Sequence, residues 1–161
     1  MFSEIFDYNG EHLTWKNPPS ARFKTGDRAG TLHKNGYVQV CFCGKLYLAH
    51  RIIWEMIKGE IPHGMQIDHI DQNKKNNKIE NLRLVTQGQN LKNKTLMPNN
   101  KTGVCGVSWI KSKSKFQAKV RSDGVDYHVG YFSELDEAKV AIDEFRLRFN
   151  FHKNHGNKKR Q

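Results

Sequence analysis

The sequence predicts an α+β chain built from two small modules, and three observations carry that reading. Short runs of alternating apolar residues over 37–48 and 67–85 are broken by turn signals, the pattern of antiparallel hairpins. Between them, the apolar residues Ile52, Ile53, Trp54, Met56 and Ile57 are dense enough for one broad buried helix face. Beyond a polar stretch at 93–102, three more strand-like runs precede a single helix. A chain of 161 residues accommodates one ordinary domain or two small ones, and the polar break favours two.

Residues 1–62 read as a support. Asn9-Gly10, Pro18-Pro19, Asn35-Gly36 and Cys43-Gly44 punctuate short β-like runs, and the runs 37–42 and 45–48 are expected to pair across Cys43-Gly44. A helix is expected from about His50 to Lys58, ended by Gly59 and Pro62. Its apolar face would bury surface that the small hairpin after it cannot bury alone. Cys41 and Cys43 are expected to be ordinary buried or half-buried thiols, because a zinc site would need two further ligands from His33, His50 or elsewhere. His50 opens the helix beside Arg51. A structural role or a phosphate contact shared with Arg51 is favoured over metal ligation, since no carboxylate stands at ligand spacing.

The stretch 65–94 holds the chemistry. Ile67 and residues 82–85 suggest two strands joined by a Lys/Asn-rich connection too polar to bury, and Thr86 with Gln89 fits a capping box that starts a helix at once. Asp68, His69, Asn81 and Asn90 are thereby arranged in order along a strand–loop–strand–helix unit. One carboxylate and one amide oxygen suit a hard divalent cation, and an imidazole with an ordinary pKa of about 6.5 can accept a proton from water near neutrality. Asp71, Asn73 and Asn77 do not make a calcium loop, for the glycine and closing glutamate of such a loop are missing. Lys74, Lys75 and Lys78 either face phosphates or are simply solvated.

The Asp68-His69, Asn76-Asn77, Asn81-Leu82-Arg83 and Asn90 pattern resembles the HNH nucleases, in the homing and phage-encoded branch where asparagine replaces the last histidine. The resemblance extends back to about Leu13 and implies a ββα-metal hairpin within a nuclease domain at 1–94. It implies His69 as general base, Asp68 and Asn90 as metal ligands, and Asn81 as the residue fastening the loop and helping to orient the histidine. The implied cofactor is one divalent ion, Mg²⁺, with Mn²⁺ able to substitute, because loss of an imidazole ligand disfavours softer metals.

After a linker at 95–102, residues 103–154 form the second module. Runs at 106–110, 116–121 and 125–129 read as three antiparallel strands, and Ser133 with Asp136 is expected to cap a helix running to about Asn150. If Phe116, Ala118 and Val120 face that helix, then Gln117, Lys119 and Arg121 face the other way. Trp109 and Tyr131 are expected in the core. Gly106-Val107, the run 115–121, the run 129–132 and Glu137-Ala138 resemble the APETALA/ethylene-response-factor type DNA-binding domain, which occurs as an appendage of HNH nucleases. That resemblance places Ser108, Ile110, Lys119, Arg121, Asp126 and His128 at DNA-facing positions. Ser108, Ile110 and Asp126 cannot make the base contacts of the plant domains, so the plant recognition sequence does not transfer. A basic tail at 155–161 is expected to be disordered.

Charge agrees with a polyanionic partner. Lys and Arg outnumber Asp and Glu by 27 to 16, a formal net charge of +11 that both halves share. Double-stranded DNA is the expected partner, engaged by a monomer, with neither a membrane nor a small-molecule substrate involved. The candidate DNA contacts are Lys119, Arg121, His128, Ser108, Gln117, Lys74, Lys75 and Arg51. Three cysteines are too few for a disulfide framework, and no signal peptide or apolar span is evident, which suits the cytoplasm of a bacterial host carrying a phage or mobile element. The expected activity is hydrolysis of DNA phosphodiesters, as a nick or a double-strand break, to 5′-phosphate and 3′-hydroxyl ends. Two rivals remain at this level: a noncatalytic DNA-binding protein with a decayed hairpin, and an RNA-binding nucleoprotein.

Overall fold

The computed structural model describes residues 2–157. It is a mixed α+β protein of small antiparallel sheets and, among the described residues, four α-helices. The chain divides into two compact units, one ending at Thr86 and the other beginning at Gln87. The division falls ahead of the 95–102 segment read as a linker.

In the first unit, α1 (Phe2–Ile5) leads into the antiparallel pair β1 (Phe6–Tyr8) and β2 (Leu13–Trp15). A three-stranded sheet follows, β3 (Thr31–Leu32), β4 (Val38–Phe42) and β5 (Lys45–Leu48), in spatial order β3-β4-β5. The expected hairpin is present, with Phe42 opposite Lys45 across the Cys43-Gly44 turn. Helix α2 (Ala49–Lys58) begins at the next residue and stops at Gly59, whose φ of 90° is in the left-handed region that glycine enters without steric cost. The strands β6 (Met65–His69) and β7 (Leu82–Thr86) pair antiparallel from Met65↔Thr86 to His69↔Leu82.

One core serves all of these elements. Phe6, Leu13 and Trp15 from the first pair, Val38 and Val40 from β4, and Ile52 and Ile53 from α2 cluster with Ile67 of β6 and Leu82 of β7. The β6–β7 hairpin contributes few apolar side chains of its own, so its position depends on the N-terminal elements that supply the rest. Cys41 and Cys43 are both exposed, contrary to expectation. Strand alternation turns Val40 inward and Cys41 outward, while Cys43 has already left the strand for the turn, at φ 49°.

The second unit begins with α3 (Gln87–Leu91) and contains the sheet β8 (Val107–Ile110), β9 (Lys115–Ser122) and β10 (Val125–Phe132), ordered β10-β9-β8, followed by α4 (Leu135–Arg148). Val107, Ala118 and Val120 pack with Ala138 and Ile142 of α4 to form its core. Gly106 is obligatory at the mouth of this core. At φ +80°, a Cβ there would lie 2.5 Å from the Lys119 carbonyl oxygen and 2.8 Å from Ile142 Cδ1. Helix α4 starts one residue later than Ser133 capping would require; Glu134 is the N-cap and makes no side-chain capping bond.

Two expectations fail in this unit. Trp109 and Tyr131 are 46 % and 37 % exposed rather than core residues. Trp109 lies over the sheet end, edge-on to Phe116, and Tyr131 pairs with Gln117 on the face away from α4. The start of the expected loose tail is instead fastened: Gly156 N donates to Lys94 O at 2.7 Å, and Leu96 N donates to Asn157 O at 2.8 Å. Residues 158–161 of that tail lie outside the described residues. A cavity of about 480 Å³ beside this clasp, lined in part by Cys105, Arg146, Phe151 and His155, contains none of the candidate site residues.

Candidate functional site

The candidate site is built on the end of β6. Strand alternation alone would put Asp68 and His69 on opposite faces, but both are buried, because the hairpin ends here and the connection folds back over the histidine. Asp68 stands opposite Arg83 in the β6–β7 register. Arg83 donates from Nε at 2.9 Å and from Nη2 at 2.7 Å to the same oxygen, Oδ2, so the guanidinium anchors that oxygen.

His69 is 4 % exposed, and its Nε2 lies 2.9 Å from Oδ1 of Asn77, which is itself 3 % exposed. The edge of a second buried imidazole, His50, meets it with ring centroids 4.9 Å apart and planes at 72°. Tyr37 completes the cluster, its ring centroid 5.3 Å from His50 and 6.0 Å from His69. Burial pushes the His69 pKa below 6.5, against the opposing pull of the Asn77 hydrogen bond and of the Asp71 and Asp68 carboxylates. His50 is pushed down to about 3 by burial, with the neighbouring His69 and Arg51 adding to it. Both rings are therefore neutral at neutral pH. The burial of His50 places it among side chains rather than at a phosphate-facing surface, and its Nδ1 has no hydrogen-bond partner among the described residues.

Asn81 organises the connection between the two strands. Its Oδ1 accepts from the Asp71 backbone N–H at 3.0 Å, while Nδ2 donates to Asp71 Oδ1 at 2.9 Å and to Asn76 O at 2.8 Å. Asp71 accepts further bonds from the Asn73 backbone and from Asn76 Nδ2. Burial alone would raise the Asp71 pKa, but these donors outweigh it and hold the carboxyl below its usual range. Asp71 thus ties the loop together.

The lysines of this loop have different surroundings. Lys74 Nζ lies 4.2 Å from the centroid of the Tyr37 ring and donates to Asn35 O at 3.1 Å, tying the loop to the turn before β4. Lys78 pairs with Glu11 at 3.4 Å, and Lys75 is exposed. Arg51 is half-buried on α2. Asn90 is half-buried on α3, in the second unit.

In the second unit, pairing brings six of the sequence-selected residues to one sheet face. Ser108 is opposite Gln117, Lys119 opposite His128, and Arg121 opposite Asp126, all on the side away from the α4-facing Ala118 and Val120. Tyr131 shares that face. It accepts from Gln117 Nε2 at 3.0 Å, has the His128 ring at 4.7 Å, and carries Lys113 Nζ 3.9 Å from its centroid. Arg121 and Asp126 are exposed partners at 3.7 Å.

Sequence reasoning assigned no role to Tyr8, and named Asn77 only within the Asn76-Asn77 pair and the rejected calcium loop. Tyr8 Oη accepts from the Ile79 backbone at 3.1 Å and donates to Gly10 O at 2.7 Å, so the N-terminal strand pair grips the residues next to Asn77. No sequence signal points to Tyr8; the doubled asparagine at 76–77 was the available hint for Asn77.

Among the described residues, no group of three or more His, Cys, Asp or Glu side chains could hold a metal, and no helix is long and apolar enough to cross a membrane. Residues 47–92 match the family described as HNH endonuclease. The chain is 33 % identical to Protein 3.8 of Escherichia phage T7 over 103 residues, covering 64 % of this chain and 83 % of that protein. It is 40 % identical over 99 residues to an uncharacterized HNH endonuclease of Acanthamoeba polyphaga mimivirus, covering 61 % of this chain and half of that protein. A shorter match, 46 % over 44 residues, covers 27 % of this chain and 25 % of YosQ from Bacillus subtilis (strain 168), a protein named as a prophage HNH homing endonuclease. No solved structure matches.

Proposed function

Because the chain belongs to the HNH endonuclease family, we propose that it is a metal-dependent homing-type endonuclease, which hydrolyses phosphodiester bonds of double-stranded DNA to 5′-phosphate and 3′-hydroxyl ends. The observation that supports this best is the pair at the end of β6: a carboxylate anchored through one oxygen by Arg83, followed directly by an imidazole whose burial favours its neutral form. A neutral imidazole is the form that accepts a proton.

The unit β6–β7–α3 is read as the His-Asn-Asn form of the ββα-metal hairpin. Asp68 and Asn90 are its ligands, a carboxylate and an amide oxygen. That hard, all-oxygen set suits Mg²⁺, with Mn²⁺ substituting, and does not depend on a cage of three ionisable groups. A bound divalent ion would neutralise charge developing on the phosphate and stabilise the departing 3′ oxygen. His69 takes the proton of the attacking water. Asn81 acts through the loop that it ties to Asp71 and Asn76, and Arg83 acts through Asp68.

The open face of the second unit is assigned to DNA, as in an APETALA/ethylene-response-factor type domain at 103–154, with Lys119, Arg121, His128, Ser108 and Gln117 as its contacts. Lys75 and Arg51 are assigned to phosphates beside the nuclease hairpin. Lys74 keeps a share of that role only if its ammonium leaves Tyr37 and the Asn35 carbonyl. One site per chain implies nicking by a monomer on DNA, within a bacterial cell hosting the element that encodes it.

Plasmid relaxation tests the reading. Supercoiled DNA incubated with the protein and Mg²⁺ should convert to open circles with ligatable nicks, and chelator should stop the conversion. Intact plasmid with Mg²⁺, Mn²⁺ and every other divalent ion tried would refute it.

A further inference from the structure

We propose that Asn77, a residue outside the Asp68, His69, Asn81 and Asn90 set, is the positioning residue that fixes which nitrogen of His69 acts as the base. Asn77 sits in a loop rich in charged and polar residues, yet it is 3 % exposed, and a buried amide must be hydrogen-bonded to offset its desolvation. Its Oδ1 is 2.9 Å from His69 Nε2. An amide oxygen only accepts, so Nε2 carries the proton; a neutral imidazole has one N–H, which leaves its lone pair on Nδ1. Nδ1 is therefore the atom that receives the proton from water.

The amide is held on both sides of the chain. Asn77 N donates to Lys75 O at 3.1 Å, and Asn81 Nδ2 binds the carbonyl of the preceding residue, Asn76, at 2.8 Å. Tyr8 Oη accepts from Ile79 N, two residues on. The His69 ring is in turn braced by the His50 edge. Asn81 thus shapes the loop, and Asn77 is the contact through which the loop reaches the imidazole. Its catalytic consequence rests on the nuclease reading above, whereas the tautomer assignment does not.

The test uses the full chain with ¹⁵N-labelled histidine, the variants Asn77→Leu and Asn77→Asp, and nicking kinetics with Mg²⁺. In the wild type, His69 should show an Nε2-bound proton protected from exchange with water. Asn77→Leu should lose that protection and lower kcat by about 10–100-fold, the usual cost of removing a partner that orients a functional histidine, with KM for DNA within about twofold. Asn77→Asp keeps an acceptor oxygen in place and should restore both the protected proton and most of kcat, which separates positioning from a folding defect. A proton on Nδ1 in the wild type, or an Asn77→Leu protein whose Nε2 proton stays protected, overturns the inference. So does a change confined to KM. If the wild type cuts no DNA, the nuclease reading falls, and the protected proton still decides the role of Asn77.

Discussion

Arg83 and Asp68, opposite one another on β7 and β6, share two hydrogen bonds that converge on a single carboxylate oxygen. Two N–H groups of one rigid guanidinium hold that oxygen in a fixed position, a geometry an ammonium does not reproduce. Arg83→Lys should therefore raise the Mg²⁺ concentration for half-maximal cleavage by about 10–100-fold, as expected when a residue supporting a metal ligand is lost. Arg83→Ala should do the same and also destabilise the fold by about 1–3 kcal/mol, because Asp68 would be left largely buried without its charged partner. Metal titration of cleavage and chemical denaturation check the two parts separately.

Removing the acting groups should separate chemistry from binding. His69→Ala is expected to slow nicking by about 10²–10⁴-fold, the range for loss of a general base. Asp68→Ala should lower cleavage at least as much. Gel-shift affinity for DNA should stay within about threefold for both, since phosphate contacts elsewhere carry binding. Full-rate cutting by either variant would remove it from the site.

The histidine pair makes an acid-side prediction whose sign follows from burial. His50 and His69 both have pKa values below 6.5 in the folded chain, His50 at about 3. The unfolded chain then binds more protons than the folded one as the pH drops below about 6.5, so stability is lost on acidification. Each histidine should contribute a slope of up to about 1.4 kcal/mol per pH unit between its unfolded and folded pKa. Urea unfolding between pH 7 and pH 5 should show the loss, and His50→Phe should flatten it. The acid limb of the pH–rate profile for nicking should lie at lower pH than an ordinary imidazole would give, because burial pulls the His69 pKa down.

The open face of the second unit should read out in salt dependence. Lys119→Ala and Arg121→Ala should each weaken DNA binding, and any of them that contacts a phosphate should reduce the salt slope by about one. With DNA saturating, the nicking rate of these variants should equal that of the wild type. Arg121 has the smaller expected effect, since part of its charge is already neutralised by Asp126 at 3.7 Å. Unchanged affinity and salt slope for both would take this face out of the DNA interface.

The sequence by itself determined the local order. Turn signals at Cys43-Gly44, alternation over 116–121 and the helix over 49–58 depend on neighbours a few residues apart, and each appears in the fold where its pattern puts it, although Ile57, expected on the buried helix face, is exposed where the helix ends. Asp68 and His69, adjacent in the chain, needed no fold to bring them together. Only the tertiary structure decided what surrounds them. Asn77 meets His69 because Asn81 and Tyr8 bend and grip the connection, and His50 meets it because α2 and β6 share a core. Lys74 rests on Tyr37, and Tyr131 lies on the open sheet face, through pairings between separate stretches of chain. Periodicity encodes which way a side chain points from its own element; what it touches depends on how distant elements pack, and no local pattern carries that information.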